Sequence, residues 1–130
     1  ATLGSFSKLS EIYTEEDGYI KPSTVAEAYA IMVHKMTQKY ENAEIFLFTL
    51  QPNTMNRNTD TLNNYNKAIK RIGEYFGCHI VDIAGIEGYE YSKYTIDGLH
   101  PNEKGMDLIT DLFVRKLEGV FGNNNDKNSK

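Results

Sequence analysis

Apolar positions along this chain follow two rhythms, and they alternate. Val25, Ala28, Tyr29, Met32, Val33, Met36 and Tyr40 recur at helical spacing. They predict a helix that begins at Ser23 or Thr24, where Thr24 and Glu27 are spaced as a capping box. Ile45-Phe46-Leu47-Phe48-Thr49-Leu50 shows no alternation and is bounded by polar residues, the pattern of a strand covered on both faces in a parallel sheet. Leu62, Tyr65, Ile69, Ile72 and Phe76 then return to the helical period, predicting a second helix from about Asp60 to Phe76 with Gly77 as its stop. Cys78 to Ala84 reads as a second strand. A Tyr-rich loop (Tyr89, Tyr91, Tyr94) follows, and Asn102 is placed to cap a third helix that turns Met106, Ile109, Phe113 and Leu117 inward.

Strand and helix in alternation define an α/β class with parallel strands joined by right-handed crossovers. Two strands are too few for such a sheet, because helices on both faces would leave an edge open and apolar surface uncovered. Residues 1 to 22, with the acidic patch Glu15-Glu16-Asp17-Gly18, read as turn and loop, and Gly122 to Lys130 as a polar, disordered tail. The chain thus reads as one domain portion over residues 1–121 followed by the tail 122–130, with no internal repeat.

Composition narrows the partners more than the chemistry. With 130 residues and 40% hydrophobic content the chain fits a single globular domain. The formal charge is −4 with signs mixed and no Lys/Arg stripe, which argues against a nucleic-acid partner. The apolar run from Ile45 to Leu50 is far too short to span a bilayer. The lone Cys78 excludes an internal disulfide and reads as a buried, inert thiol. His34 falls off the helical stripe and reads as a solvated side chain.

The densest chemistry lies in Asp97-Gly98-Leu99-His100-Pro101-Asn102. A turn brings residues i and i+3 within about 7 Å at their Cα atoms, so the carboxylate and the imidazole can meet. Gly98 supplies the backbone freedom, and Pro101 holds His100 extended, outside the helix that follows. An Asp that orients a general-base His is two thirds of a serine-hydrolase triad. The same spacing also suits a turn that Asp97 merely caps, with His100 as a surface residue. Asp82, at the end of the second strand, is a rival carboxylate. Asp97 and His100 could ligate a divalent ion, although no third and fourth ligand stands at recognisable spacing, and the reading adopts neither metal nor cofactor.

Asp97, His100, Pro101, Asn102, Gly105 and Met106, leading into an amphipathic helix, resemble the C-terminal block of the GDSL/SGNH hydrolases. Ala28-Tyr29-Ala30, Thr49-Leu50-Gln51-Pro52, Asn66-Lys67-Ala68-Ile69 and Ile80-Val81-Asp82-Ile83 fit the same pattern in the same order, so the resemblance runs from about Ala1 to about Val120. It implies the C-terminal part of a flavodoxin-like, three-layer fold around a five-stranded parallel sheet. It also implies that His100 is the general base and Asp97 its orienting carboxylate. Gln51 and Tyr94 are the candidates to line a substrate pocket, at the carboxyl ends of the strands where sites in open α/β sheets lie.

The chain departs from that family where the nucleophile belongs. It contains neither a Gly-Asp-Ser motif nor a Gly-x-Asn-Asp motif, and Ser5, Ser7, Ser10, Ser23, Ser92 and Ser129 do not follow an apolar strand as a nucleophile turn requires. The resemblance therefore implies a fold completed by sequence not in this chain, the N-terminal half of the same fold or a second copy. The function it implies is a serine esterase acting on small acyl esters of carbohydrate or lipid. Two other classes remain open at this point: a non-catalytic binding or assembly domain, and a metal-dependent phosphoesterase.

Overall fold

The structure is a computed structural model that describes residues 12–14, 18–51 and 59–122. The acidic patch at 15–17, Ser5, Ser7, Ser10 and Ser129, Pro52 and the tail beyond Gly122 lie outside the described residues. Where the sequence reads as loop, two short strands pair antiparallel: β1 (Tyr13–Thr14) and β2 (Gly18–Tyr19). Two residues per strand carry no readable alternation, which is why the pattern missed them.

Helix α1 spans Val25–Lys39, and its start follows the capping logic. Thr24 is extended and its Oγ1 accepts from the Glu27 N–H at 3.1 Å, while Glu27 Oε2 accepts from the Ser23 N–H at 3.1 Å. The buried face meets the expected stripe at Val33, with Tyr29 partly buried against the core, and departs from it elsewhere. Ala26, Ala30, Ile31 and Val33 are buried, whereas Met32, Met36 and Tyr40 are exposed. Both stripes satisfy a 3.6 period. Packing selects the one with small residues, because Ala26 and Ala30 let the core partners come close.

Strand β3 (Phe46–Phe48) and strand β4 (His79–Val81) pair in parallel, with Phe46 opposite His79, Leu47 opposite Ile80 and Phe48 opposite Val81. Leu47 enters the core with Ile12, Ala30, Ile31, Val33, Ile69 and Ile72. Phe46 and Phe48 point to the opposite face, where Phe113 meets them at ring-centroid distances of 5.7 and 5.0 Å. The strand is covered on both sides, as its unbroken apolar run requires. Helix α2 (Thr59–Phe76) lines the first face with α1, and α4 (Glu103–Leu117) lines the second. Helices on both faces of a parallel sheet make this a three-layer α/β fold.

Helix α2 buries Leu62, Asn66, Ala68, Ile69 and Ile72, close to the predicted face, and Gly77 follows it at φ +72°. Fully burying an aliphatic side chain such as Ile72 stabilises the fold by about 1.5–3 kcal/mol. His34 corrects its reading as a solvated residue. It is half-buried, its Nδ1 lies 3.0 Å from the Tyr19 hydroxyl and its ring lies 5.2 Å from that of Phe76, so it joins β2, α1 and α2. Cys78 is half-buried against the core, and that burial pushes its thiol pKa up, as for an inert cysteine. Met106 is exposed on α4, although Ile109, Phe113 and Leu117 are partly buried as expected. Among the described residues no helix is long and apolar enough to cross a membrane.

Candidate active site

The carboxyl ends of β3 and β4 are fastened by buried polar groups. Thr49, directly after β3, donates its hydroxyl to Asp82 Oδ1 at 3.0 Å and accepts from the Ala84 N–H at 3.0 Å. Ala84 belongs to a short 3₁₀ turn, Ile83–Gly85, that leaves β4. From α2, Asn66 accepts the Leu50 N–H at 2.8 Å and donates to the Leu50 carbonyl at 3.4 Å. These bonds satisfy backbone groups that leave the ladder, and they fix where Gln51 emerges.

The Asp97–His100 turn stands on the short helix α3 (Tyr91–Tyr94) and on the first turn of α4. Thr95 and Pro101 bridge its neck, and the Ile96 N–H donates to the His100 carbonyl at 2.8 Å. Inside the turn the buried Thr95 Oγ1 accepts from the Gly98 N–H at 2.8 Å. Gly98 sits at φ +84°, a conformation that favours glycine. Asn102 closes the exit: its N–H donates to the Tyr94 carbonyl, its Nδ2 to the Lys93 carbonyl, and its Oδ1 accepts from the Gly105 N–H, all at 2.9 Å. The predicted N-cap is therefore present, and it also welds α4 to α3.

This frame brings the two sequence-predicted residues together. Asp97 Oδ2 lies 2.6 Å from His100 Nδ1. Asp97 Oδ1 accepts from the His100 N–H at 2.7 Å and from the Leu99 N–H at 3.0 Å. The His100 N–H, then the imidazole, then the Leu99 N–H hold the carboxyl pKa at about 2, so it is ionised across the physiological range. A carboxylate facing Nδ1 selects the tautomer that carries its proton there, which leaves the Nε2 lone pair free to accept. The His100 side chain is 70% exposed, so the imidazole is accessible from solvent.

Gln51 touches the same turn. Its Nε2 donates to the Leu99 carbonyl, and its Oε1 accepts from the Tyr89 hydroxyl at 2.7 Å. Tyr89 stacks on Tyr94 with ring centroids 5.3 Å apart, and Tyr89, Glu90, Tyr91 and Ser92 line a cleft of about 260 Å³. The rival carboxylate is engaged elsewhere: the oxygens of Asp82 face Thr49 and, at 3.1 Å, Lys70 Nζ. Among the described residues no three His, Cys, Asp or Glu side chains gather as metal ligands do. Thr95 and Asn66 escaped the sequence reading as site-forming residues. Thr95 reaches three residues on, beyond the two-residue spacing of a Ser/Thr turn, and Asn66 acts on a residue 16 positions away.

The sequence model of the GDSL-like Lipase/Acylhydrolase family matches residues 16–108, and the chain belongs to that family. Its fold is similar to that of the esterase domain of the ZfL2-1 ORF1 protein from the zebrafish ZfL2-1 retrotransposon, with a TM-score of 0.59 at 16% sequence identity. The match covers 71% of this chain and 60% of that domain, so the chain spans about three fifths of the domain's length. A comparison with curated protein sequences finds no match.

Proposed function

We propose that this chain supplies the Asp–His half of a serine ester hydrolase acting on small acyl esters of carbohydrate or lipid. The observation that carries the reading is the 2.6 Å contact between Asp97 Oδ2 and His100 Nδ1, made on an exposed turn with Nε2 turned free. In this mechanism Nε2 takes the proton of a serine hydroxyl as its oxygen attacks the ester carbonyl. The imidazolium that forms is stabilised by Asp97, and it returns the proton to the leaving alkoxide. Water then repeats the sequence on the acyl-enzyme. Gln51 and Tyr94 border the turn and are assigned to the walls of the substrate site.

The serine and its oxyanion donors are assigned to the N-terminal half of the same fold, and that half or a second copy would extend the sheet β3–β4. A His–Asp pair without them lacks the groups that attack and stabilise the tetrahedral intermediate. The test is hydrolysis of a short-chain nitrophenyl ester by the pure 130-residue chain, its mass verified, and again after the Gly-Asp-Ser half is supplied. Turnover is expected in the second case alone. Rapid turnover by the chain alone, or none with both halves, contradicts the proposal.

A further inference from the structure

We infer that Gln51, held by Tyr89, is a positioning residue for the Asp97–His100 pair, acting through the peptide between Leu99 and His100. The two faces of that peptide are gripped from opposite sides. Its N–H, on His100, donates to Asp97 Oδ1 at 2.7 Å. Its carbonyl, on Leu99, accepts from Gln51 Nε2. A planar trans peptide moves as one unit, so anchoring the carbonyl fixes the direction of the N–H and hence the carboxylate it holds. Accepting at the carbonyl also polarises the N–H that binds Asp97.

The anchor crosses from the end of β3 to the tip of a turn whose functional side chains are largely exposed, at 49% for Asp97 and 70% for His100. The other bonds join the turn to itself and to α3 and α4: Gly98 with Thr95 inside it, Thr95 with Pro101 and Ile96 with His100 at its neck, and Asn102 with Tyr94 at its exit. Gln51 ties the tip to the sheet. An amide can face either way round, and an inverted Gln51 would set oxygen against oxygen at Leu99. The Leu99 carbonyl, which can only accept, therefore draws Nε2, and the Tyr89 hydroxyl completes the arrangement by donating to Oε1. Tyr89 is itself held by stacking on Tyr94, whose carbonyl receives the Asn102 N–H at the far end of the same turn. The loop of contacts closes on itself.

This inference rests on the reading of His100 as the base, and the experiment separates the two. The tautomer of neutral His100 is read from its ¹⁵N shifts by NMR in wild type, Gln51→Ala, Gln51→Glu, Tyr89→Phe and Asp97→Asn. Gln51→Glu keeps the size and the acceptor for Tyr89 but offers no donor to Leu99, so a merely space-filling role would leave it like wild type. The expected result is that wild-type His100 carries its proton on Nδ1, and that both Gln51 variants lose roughly half of that population to Nε2–H. Tyr89→Phe should lie between, and the signals of Val33, Ile72 and Val81 should not move in any variant. Wild-type tautomer populations in both Gln51→Glu and Tyr89→Phe would overturn the positioning role. If instead Asp97→Asn leaves the tautomer unchanged, the Asp–His pairing itself fails, and the role of Gln51 fails with it.

Discussion

Gly105 lies so close to the carbonyl oxygen of Tyr94 that a Cβ at this position would overlap it. The oxygen cannot move aside, because it accepts the Asn102 N–H at 2.9 Å. This contact sets the first turn of α4 against α3 and so fixes both ends of the His100 turn. Gly105→Ala is therefore expected to destabilise the protein. Overpacking costs about 1–3 kcal/mol, while the better helix propensity of alanine offsets at most about 1 kcal/mol. Overlap with a backbone oxygen belongs at the upper end of the first range, for a net loss of about 2 kcal/mol. Denaturant unfolding measures it, and unchanged stability would show that α3 and α4 can separate freely.

Thr95 is expected to be the polar residue on which the turn depends most. Thr95→Val keeps the shape but leaves the buried Gly98 N–H without its 2.8 Å acceptor. An unsatisfied buried donor costs about 1–3 kcal/mol. Hydrogen exchange at Gly98, Leu99 and His100 should rise together in this variant while exchange at Ile72 and Val81 does not. Uniform exchange with wild type would mean that the neck bridge alone shapes the turn.

The pH dependence of stability carries a signature of Asp97. Its folded pKa of about 2 lies below the ordinary 3.8, so between these values the unfolded chain binds a proton that the folded one does not. The Asp97 contribution is thus complete above the ordinary value and is lost as pH falls through about 2. Comparing wild type with Asp97→Asn from pH 5 to pH 2, the wild type should lose stability more steeply in acid. Parallel curves would show that the carboxylate is not held by its turn.

Much of this was legible in sequence because the decisive elements are local. Thr24, Asn102 and Gly77 mark helix ends through bonds or dihedrals reaching a few residues, and the Asp97–His100 contact spans three. The unbroken run at Phe46–Phe48 announced its double coverage. What stayed hidden depends on distant partners. The burial of Ala26, Ala30 and Ile31 in place of Met32 and Met36 is decided by what packs against α1, and the β1–β2 pair is too short to show a period. The sequence marked Gln51, but its contacts with Leu99 and Tyr89 join residues 48 and 38 positions away, and no spacing rule reveals them. His34 gained its partners across three elements in the same way.

The central claim is that His100 is the general base and Asp97 its orienting carboxylate. Its most direct test is kcat/KM on a short-chain ester for the protein with its fold complete, comparing wild type, His100→Ala, Asp97→Asn and Asp82→Asn under one condition. His100→Ala should abolish acyl transfer while leaving the fold intact. Asp97→Asn should lose up to about 10⁴-fold, because an amide favours the wrong tautomer and cannot stabilise the imidazolium. Asp82→Asn should stay within a few-fold of wild type, its oxygens being taken by Thr49 and Lys70. Near-normal rates for both His100→Ala and Asp97→Asn, or a loss at Asp82 without one at Asp97, would contradict the account.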